Sequence, residues 1–111
     1  KHERGEGPGL GFNLNFPLAR GTADVDYMKT LDAALSQMTS FYPEALVVAL
    51  GLDAYKGDPL AGLSITTEGF RQIGTAIAGM KLPTVFVQEG GYLCEELGEN
   101  LNGFLDGFKN G

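Results

Sequence analysis

The chain has 111 residues, a net charge of −6 and a hydrophobic share of 43%. This bounds it to one domain with a modest core. The acidic charge is dispersed and no basic cluster occurs, which argues against nucleic acids and anionic membranes as partners. No apolar stretch approaches the ~20 residues of a membrane span. Cys94 is the single cysteine, so no internal disulfide can form, and a reducing, cytoplasmic compartment fits.

Residues 1–9 are charged and glycine-rich and read as a loop. With Lys1 in place of an initiating methionine, they suggest a piece of a longer protein; a processed or vector-derived start is the plainer alternative. Leu10, Phe12, Leu14 and Phe16 then alternate with small or polar residues, a period of two that predicts a strand ended by Pro17. Thr22 or Asp24 is placed to cap a first helix. Its apolar stripe is Tyr27, Leu31, Leu35 and Met38, and its end lies near Tyr42 and Pro43. Residues 45–50 form a nearly unbroken apolar run, as in a parallel strand buried on both faces. After a long loop over residues 51–65, Thr66 or Thr67 caps a second helix with a stripe of Phe70, Ile73 and Ile77. Residues 84–87 predict a further strand. Leu93, Leu97, Leu101, Phe104 and Phe108 define a last helix, with Glu95, Glu96 and Glu99 in its first turns, matched to the helix dipole.

The order is βαβαβα, which predicts an α/β fold with parallel strands and helices on the sheet faces. Most of the 17 glycines read as strand–loop junctions, where backbone turns or approaches a ligand. Both loops that follow the apolar runs should lie at the carboxyl ends of neighbouring strands, where open α/β sheets bind ligands. In the first, Asp58 sits between Gly57 and Pro59, a setting that directs its carboxylate. It suits a divalent metal such as zinc, or it is a turn aspartate bonded to its own backbone. Asp53 is either a second ligand or a residue that holds the loop in shape. In the second loop Tyr92 follows Gly90 and Gly91, and a phenol there can donate to a developing oxyanion. Glu89 reads as a loop anchor rather than a general base. His2 is the only histidine and reads as a solvated terminal residue. Cys94 reads as a small residue at a helix start, with no histidine to activate it. Gly5, Gly7, Gly9 and Gly11 precede a strand and so fail the context of a nucleotide-binding loop.

The run Gly51-Leu52-Asp53-Ala54-Tyr55-Lys56-Gly57-Asp58-Pro59-Leu60, followed by Glu89-Gly90-Gly91-Tyr92, closely resembles the zinc-dependent histone deacetylase and acetylpolyamine amidohydrolase superfamily. Residues 11–18 and 95–100 fit the same family, in order and over nearly the whole chain. The resemblance implies the arginase/deacetylase fold, a three-layer αβα arrangement around a parallel sheet, of which residues 1–111 would be the C-terminal part of one catalytic domain. It implies that Asp58 is one of three zinc ligands and that Tyr92 polarises the amide carbonyl. Gly90 and Gly91 would line the acyl pocket, with Asp53 and Glu89 as structural neighbours. It implies hydrolysis of acetyl-lysine or of acetylated amines and polyamines.

The chain also departs from the family pattern. The family's Asp-x-His ligands and tandem histidines have no counterpart here, and His2 cannot stand for them. The 111 residues alone are therefore expected to be inactive, with zinc weak or absent, within a parent that is an amidohydrolase. The competing expectation is a stand-alone, non-catalytic interaction module with the same half-fold. A nucleotide-binding domain is opposed by acidic Asp58 and Glu89 at the strand ends. If the chain is truncated, apolar surface would be exposed and copies could pair as a homo-oligomer.

Overall fold

The computed structural model describes residues 3–57, 62–91 and 94–111. Five main elements run in chain order: α1 (Asp24–Thr39), β1 (Leu46–Gly51), α2 (Thr67–Ala78), β2 (Thr84–Gly90) and α3 (Leu97–Asn110). The strands pair in parallel, Leu46 opposite Thr84 through Leu50 opposite Gln88. The register then slips, so that Gly51 faces Gly90. Glu89 is left as the extra residue of a bulge at the carboxyl end of the sheet, a device that re-aims the chain at a strand end.

The α/β class and the parallel pairing are as the sequence leads one to expect, but two local expectations are corrected. Residues 10–16 form no ladder, and Leu10, Phe12, Leu14 and Phe16 are exposed. A period of two makes a strand only when a neighbour accepts and donates its hydrogen bonds, and among the described residues no strand lies beside this segment. It is instead fastened by Asn13, whose amide donates to the Glu3 carbonyl at 3.0 Å, and by a perpendicular contact of Phe12 with Phe41, ring centroids 5.1 Å apart. The second correction concerns burial. Leu46, Val48, Leu50 and Phe86 face the helices, whereas Val47 is 78% and Val85 59% exposed. The continuous apolar runs are thus covered on one face only, because the described helices pack on the other side.

Helix boundaries also differ from expectation. Ala23, not Thr22 or Asp24, is the N-cap residue of α1, and the helix closes at Thr39, before Tyr42 turns with φ of 54°. Tyr27 and Leu31 pack against the core, while Met38 lies at the surface. Met38 and Phe41 border a groove of about 500 Å³ with Phe12 and Leu14. Thr66 caps α2 as expected, its hydroxyl accepting from the Gly69 N–H at 3.0 Å. α3 starts at Leu97, with Glu96 as N-cap, so Glu99 alone of the three glutamates occupies the first helical turn.

The core gathers Leu46, Leu50, Leu52, Tyr55, Ile65, Phe70, Ile73, Ile77 and Phe104. Full burial of such side chains is worth roughly 1.5–3 kcal/mol each. Phe86 stands edge-on to Phe104 and Phe108, at centroid distances of 5.2 and 4.8 Å. α2 and α3 lie backbone against backbone. A Cβ on Gly74 would be 2.2 Å from the Phe104 carbonyl oxygen, and one on Gly107 would be 2.1 Å from that of Arg71. Reading glycine only as loop punctuation misses these positions; the spacing Gly103-x-x-x-Gly107 is the signal that was available.

Gly74→Ala should therefore push the helices apart. The expected cost is about 1–3 kcal/mol or more, as for other overpacked cores, read as a lower urea midpoint at unchanged m-value. An unaltered midpoint would contradict the close contact.

Candidate functional site

The sequence places two loops at one end of the sheet, and the structure puts their feet side by side. β1 runs directly into a 3₁₀ turn, Leu52–Ala54. The chain then passes Tyr55, Lys56 and Gly57 towards Asp58. Its return leg is pinned where Lys56 N–H donates to the Ile65 carbonyl at 3.0 Å and Ile65 N–H to the Ala54 carbonyl at 3.0 Å. A parallel bridge pairs Tyr55 with Ile65, and another pairs Ala23 with Ser64. Residues 54–56 and 65 thus form a closed, hydrogen-bonded base at the foot of the loop. Asp58 itself lies outside the described residues.

Tyr55 gives that base its floor. Its ring is buried, and a Cβ on Gly57 would be 2.6 Å from ring atom Cε2. Glycine at 57 lets the chain cross the ring at contact. Burial raises the phenol pKa above its ordinary value, and the negative charges of Glu96, Cys94 and Glu99 add to the rise. Burial likewise raises that of Tyr27. Composition alone could not single out Tyr55, since its role depends on Ile65 and Gly57 meeting it across the loop.

The second foot is Gly90–Gly91, at the end of β2; Tyr92 lies outside the described residues. Gly91 has φ of 117°, and a Cβ there would be 2.8 Å from the Leu52 Cβ and 3.2 Å from Leu97 Cδ1. Only glycine combines that backbone with that contact. The two glycines ahead of Tyr92 therefore rest on the 3₁₀ turn that leads to Asp58. Asp53 sits at the junction. Its carboxylate lies against Gly51 and Gly90, and a Cβ on either glycine would be 2.7 Å from Asp53 Oδ1. Glu89 occupies the bulge and is exposed, and among the described residues no donor meets its carboxylate. Cys94 is half-buried and packs against the core.

The helices are locked to this end by polar contacts. The Asp24 carboxylate accepts from Thr66 N–H at 2.9 Å and from the Thr66 hydroxyl. A Cβ at Gly69 would displace it, so glycine there admits a negative group at the start of α2, where the dipole favours it. Thr67 donates to Asn100 Oδ1 at 2.5 Å across the helix pair, and Arg71 pairs with Asp106. Among the described residues, no group of three or more His, Cys, Asp or Glu could hold a metal. The described residues by themselves therefore do not fit a zinc centre, which takes three or four such ligands.

Residues 1–108 match a family model described as "Histone deacetylase domain". An acetylpolyamine amidohydrolase of Burkholderia pseudomallei (strain 1710b) is 44% identical over 106 residues, which are 96% of this chain and 31% of that protein. Acetylpolyamine amidohydrolase 2 of Pseudomonas aeruginosa is 39% identical, with 96% of this chain and 31% of that protein covered. Histone deacetylase 8 of Arabidopsis thaliana is 34% identical, with 95% and 29% covered. A crystal structure of acetylpolyamine aminohydrolase from Burkholderia pseudomallei superposes with a TM-score of 0.90 over 95% of this chain and 31% of that one. The chain thus spans about 31% of the length of the acetylpolyamine amidohydrolases it matches, and 29% of the Arabidopsis relative.

Two of the phenols are expected to titrate late. An unfolded tyrosine ionises near pH ~10, so above that pH the folded protein holds more protons than the unfolded one. The stabilising contribution is complete below about pH 10 and is lost as pH climbs through the raised folded values. Phenolate absorbance followed against pH should show a late step from Tyr27 and Tyr55 whose amplitude falls by about half in Tyr55→Phe. A single step near the ordinary value would refute the burial assigned to Tyr55.

Proposed function

This chain belongs to the histone deacetylase family, and from that premise we propose that it is part of an amidohydrolase that removes acetyl groups from acetylated polyamines. The observation that carries this reading is that relatives named acetylpolyamine amidohydrolase match 95–96% of the chain at 35–44% identity. The dispersed negative charge, −6 overall, agrees with a cationic substrate. In the reaction, water adds to the acetamide carbonyl carbon, the C–N bond breaks, and acetate and a free amine leave. In this proposal Tyr92 donates its hydroxyl proton in a hydrogen bond to the carbonyl oxygen as charge develops there. Gly90 and Gly91 line the channel along which the acyl group enters. Asp58 is one ligand of a zinc ion whose remaining ligands come from outside these residues.

The geometry supports that division of labour. The two loops that carry Asp58 and Tyr92 rise from neighbouring strand ends and share the Leu52–Ala54 turn as their base. That is the rim where α/β sheets place ligands. The 111 residues alone should neither hold zinc tightly nor turn over substrate. The exposed Val47, Val85 and Val87 face should make isolated copies self-associate, and light scattering that shows a monodisperse monomer would contradict this.

The experiment is hydrolysis of an acetylated diamine, beside an acetyl-lysine peptide, by the full-length protein that contains these residues. Tyr92→Phe is expected to retain metal while kcat falls by about 10²–10³-fold, the usual effect of removing one oxyanion donor. Asp58→Asn is expected to lose metal and activity together, read by metal analysis and acetate release. Full activity in both variants would end the assignment. Faster turnover of the acetyl-lysine peptide would move the substrate to proteins.

A further inference from the structure

Asp53 lies three residues into the loop that leads to Asp58, yet its carboxylate is packed on the other loop. A Cβ on Gly90 would be 2.7 Å from Asp53 Oδ1, 2.8 Å from Cγ and 3.0 Å from Oδ2. All three carboxylate atoms therefore fill the space above the Gly90 Cα. On its other side Oδ1 fills the same space at Gly51, again 2.7 Å from where a Cβ would stand. Gly51 and Gly90 are the cross-strand pair formed just after the register slip. The carboxylate thus spans the last pair of the sheet, wedged over two bare α-carbons.

We propose that Asp53 is a positioning residue for the amide hydrolysis, a wedge that fixes the separation of the Asp58 loop from the Gly90–Gly91–Tyr92 loop. This role rests on the amidohydrolase reading above. The reasoning is mechanical. Gly91 already rests on Leu52 with φ of 117°, a conformation with little steric tolerance. Leu52 and Asp53 are consecutive residues of one 3₁₀ turn, so both glycines ahead of Tyr92 bear on that turn, Gly91 through Leu52 and Gly90 through Asp53. Removing the wedge leaves Gly90 free to settle towards Gly51. Gly91, the one residue between Gly90 and Tyr92, then carries the displacement outward. A group that must meet a reacting carbonyl oxygen at hydrogen-bond distance loses most of its effect when displaced by an ångström.

What matters in this arrangement is the shape of the side chain more than its charge. Asparagine has the same outline as aspartate, so Asp53→Asn should keep the wedge, whereas Asp53→Ala removes it. Gly51→Ala places a methyl group 2.7 Å from Asp53 Oδ1 and should force the carboxylate out. Within 4 Å that methyl would meet Asp53 alone, so Gly51→Ala should add little once Asp53 is alanine.

The test uses the full-length protein with an acetylated diamine as substrate, and measures kcat, KM, zinc content and melting temperature. Asp53→Ala is expected to lower kcat by ~10–100-fold, with KM and zinc content within about twofold of the parent. Asp53→Asn should restore kcat to within about threefold. Gly51→Ala should lower kcat in the parent but leave the Asp53→Ala protein unchanged within about twofold, a non-additive cycle. Three outcomes would overturn the role: kcat of Asp53→Ala within twofold of the parent, equal losses in Asp53→Asn and Asp53→Ala, or a Gly51→Ala effect that multiplies with that of Asp53→Ala. Loss of zinc or of folding in both Asp53 variants would also overturn it, since Asp53 would then serve metal retention or stability and not loop spacing. A parent protein that releases no acetate from either substrate sinks the amidohydrolase reading, and this role with it. An active parent with an indifferent Asp53 sinks only the wedge.

Discussion

Two helices in this chain touch backbone to backbone, and most of the remaining geometry follows from that contact. Gly74 on α2 lies under the Phe104 carbonyl, and Gly107 on α3 lies under the Arg71 carbonyl, with no side chain between them. Thr75 reinforces the contact by donating to the Gly107 carbonyl at 3.2 Å. At this range α3 sits close enough to β2 for Phe104 to be wholly enclosed and for Phe108 to meet Phe86 edge-on. The same placement brings Leu97, at the start of α3, against Gly91. The position of the strand-end loop is therefore inherited from a helix–helix contact well away from it.

The elements that were legible in the sequence are those whose side-chain periodicity reports burial that occurs. α2 and α3 show it, with Phe70, Ile73 and Ile77 on one side of a helix and Phe104 and Phe108 on another, whereas β1 and β2 stand out in the sequence as continuous apolar runs of which one face alone, with Leu46 and Leu50, is covered. Leu10 to Phe16 carries an equally clean alternation but forms no strand, because alternation says which face is apolar and nothing about whether a hydrogen-bonding neighbour is present. α1 ends at Thr39, short of Tyr42 and Pro43, and Met38, the last residue of the expected stripe, borders a surface groove and not the core.

At the candidate site, the motif residues were legible because loop chemistry of this kind is local in sequence. Gly57 before Asp58, and Gly90–Gly91 before Tyr92, mark themselves. The contacts that join the two loops were not legible. Tyr55 meets Ile65 and Gly57, Leu52 meets Gly91, and Asp53 meets Gly90, in three cases across a span of chain that no periodicity connects. Membership of the histone deacetylase family makes the two motifs expected companions. The Leu52–Ala54 turn is the physical reason they can act as one.

Asn100 has a consequence of another kind. It is entirely enclosed, its Oδ1 accepts from Thr67, and among the described residues its Nδ2 has no partner. A buried amide nitrogen left without a partner costs about 1–3 kcal/mol, which an aliphatic residue there would avoid. The compensation is selectivity: sliding α3 along α2 by one turn would strand the Oδ1 as well. Asn100 thus works as a buried index mark between α2 and α3, beside the Thr75–Gly107 and Arg71–Asp106 contacts, trading some cohesion for alignment.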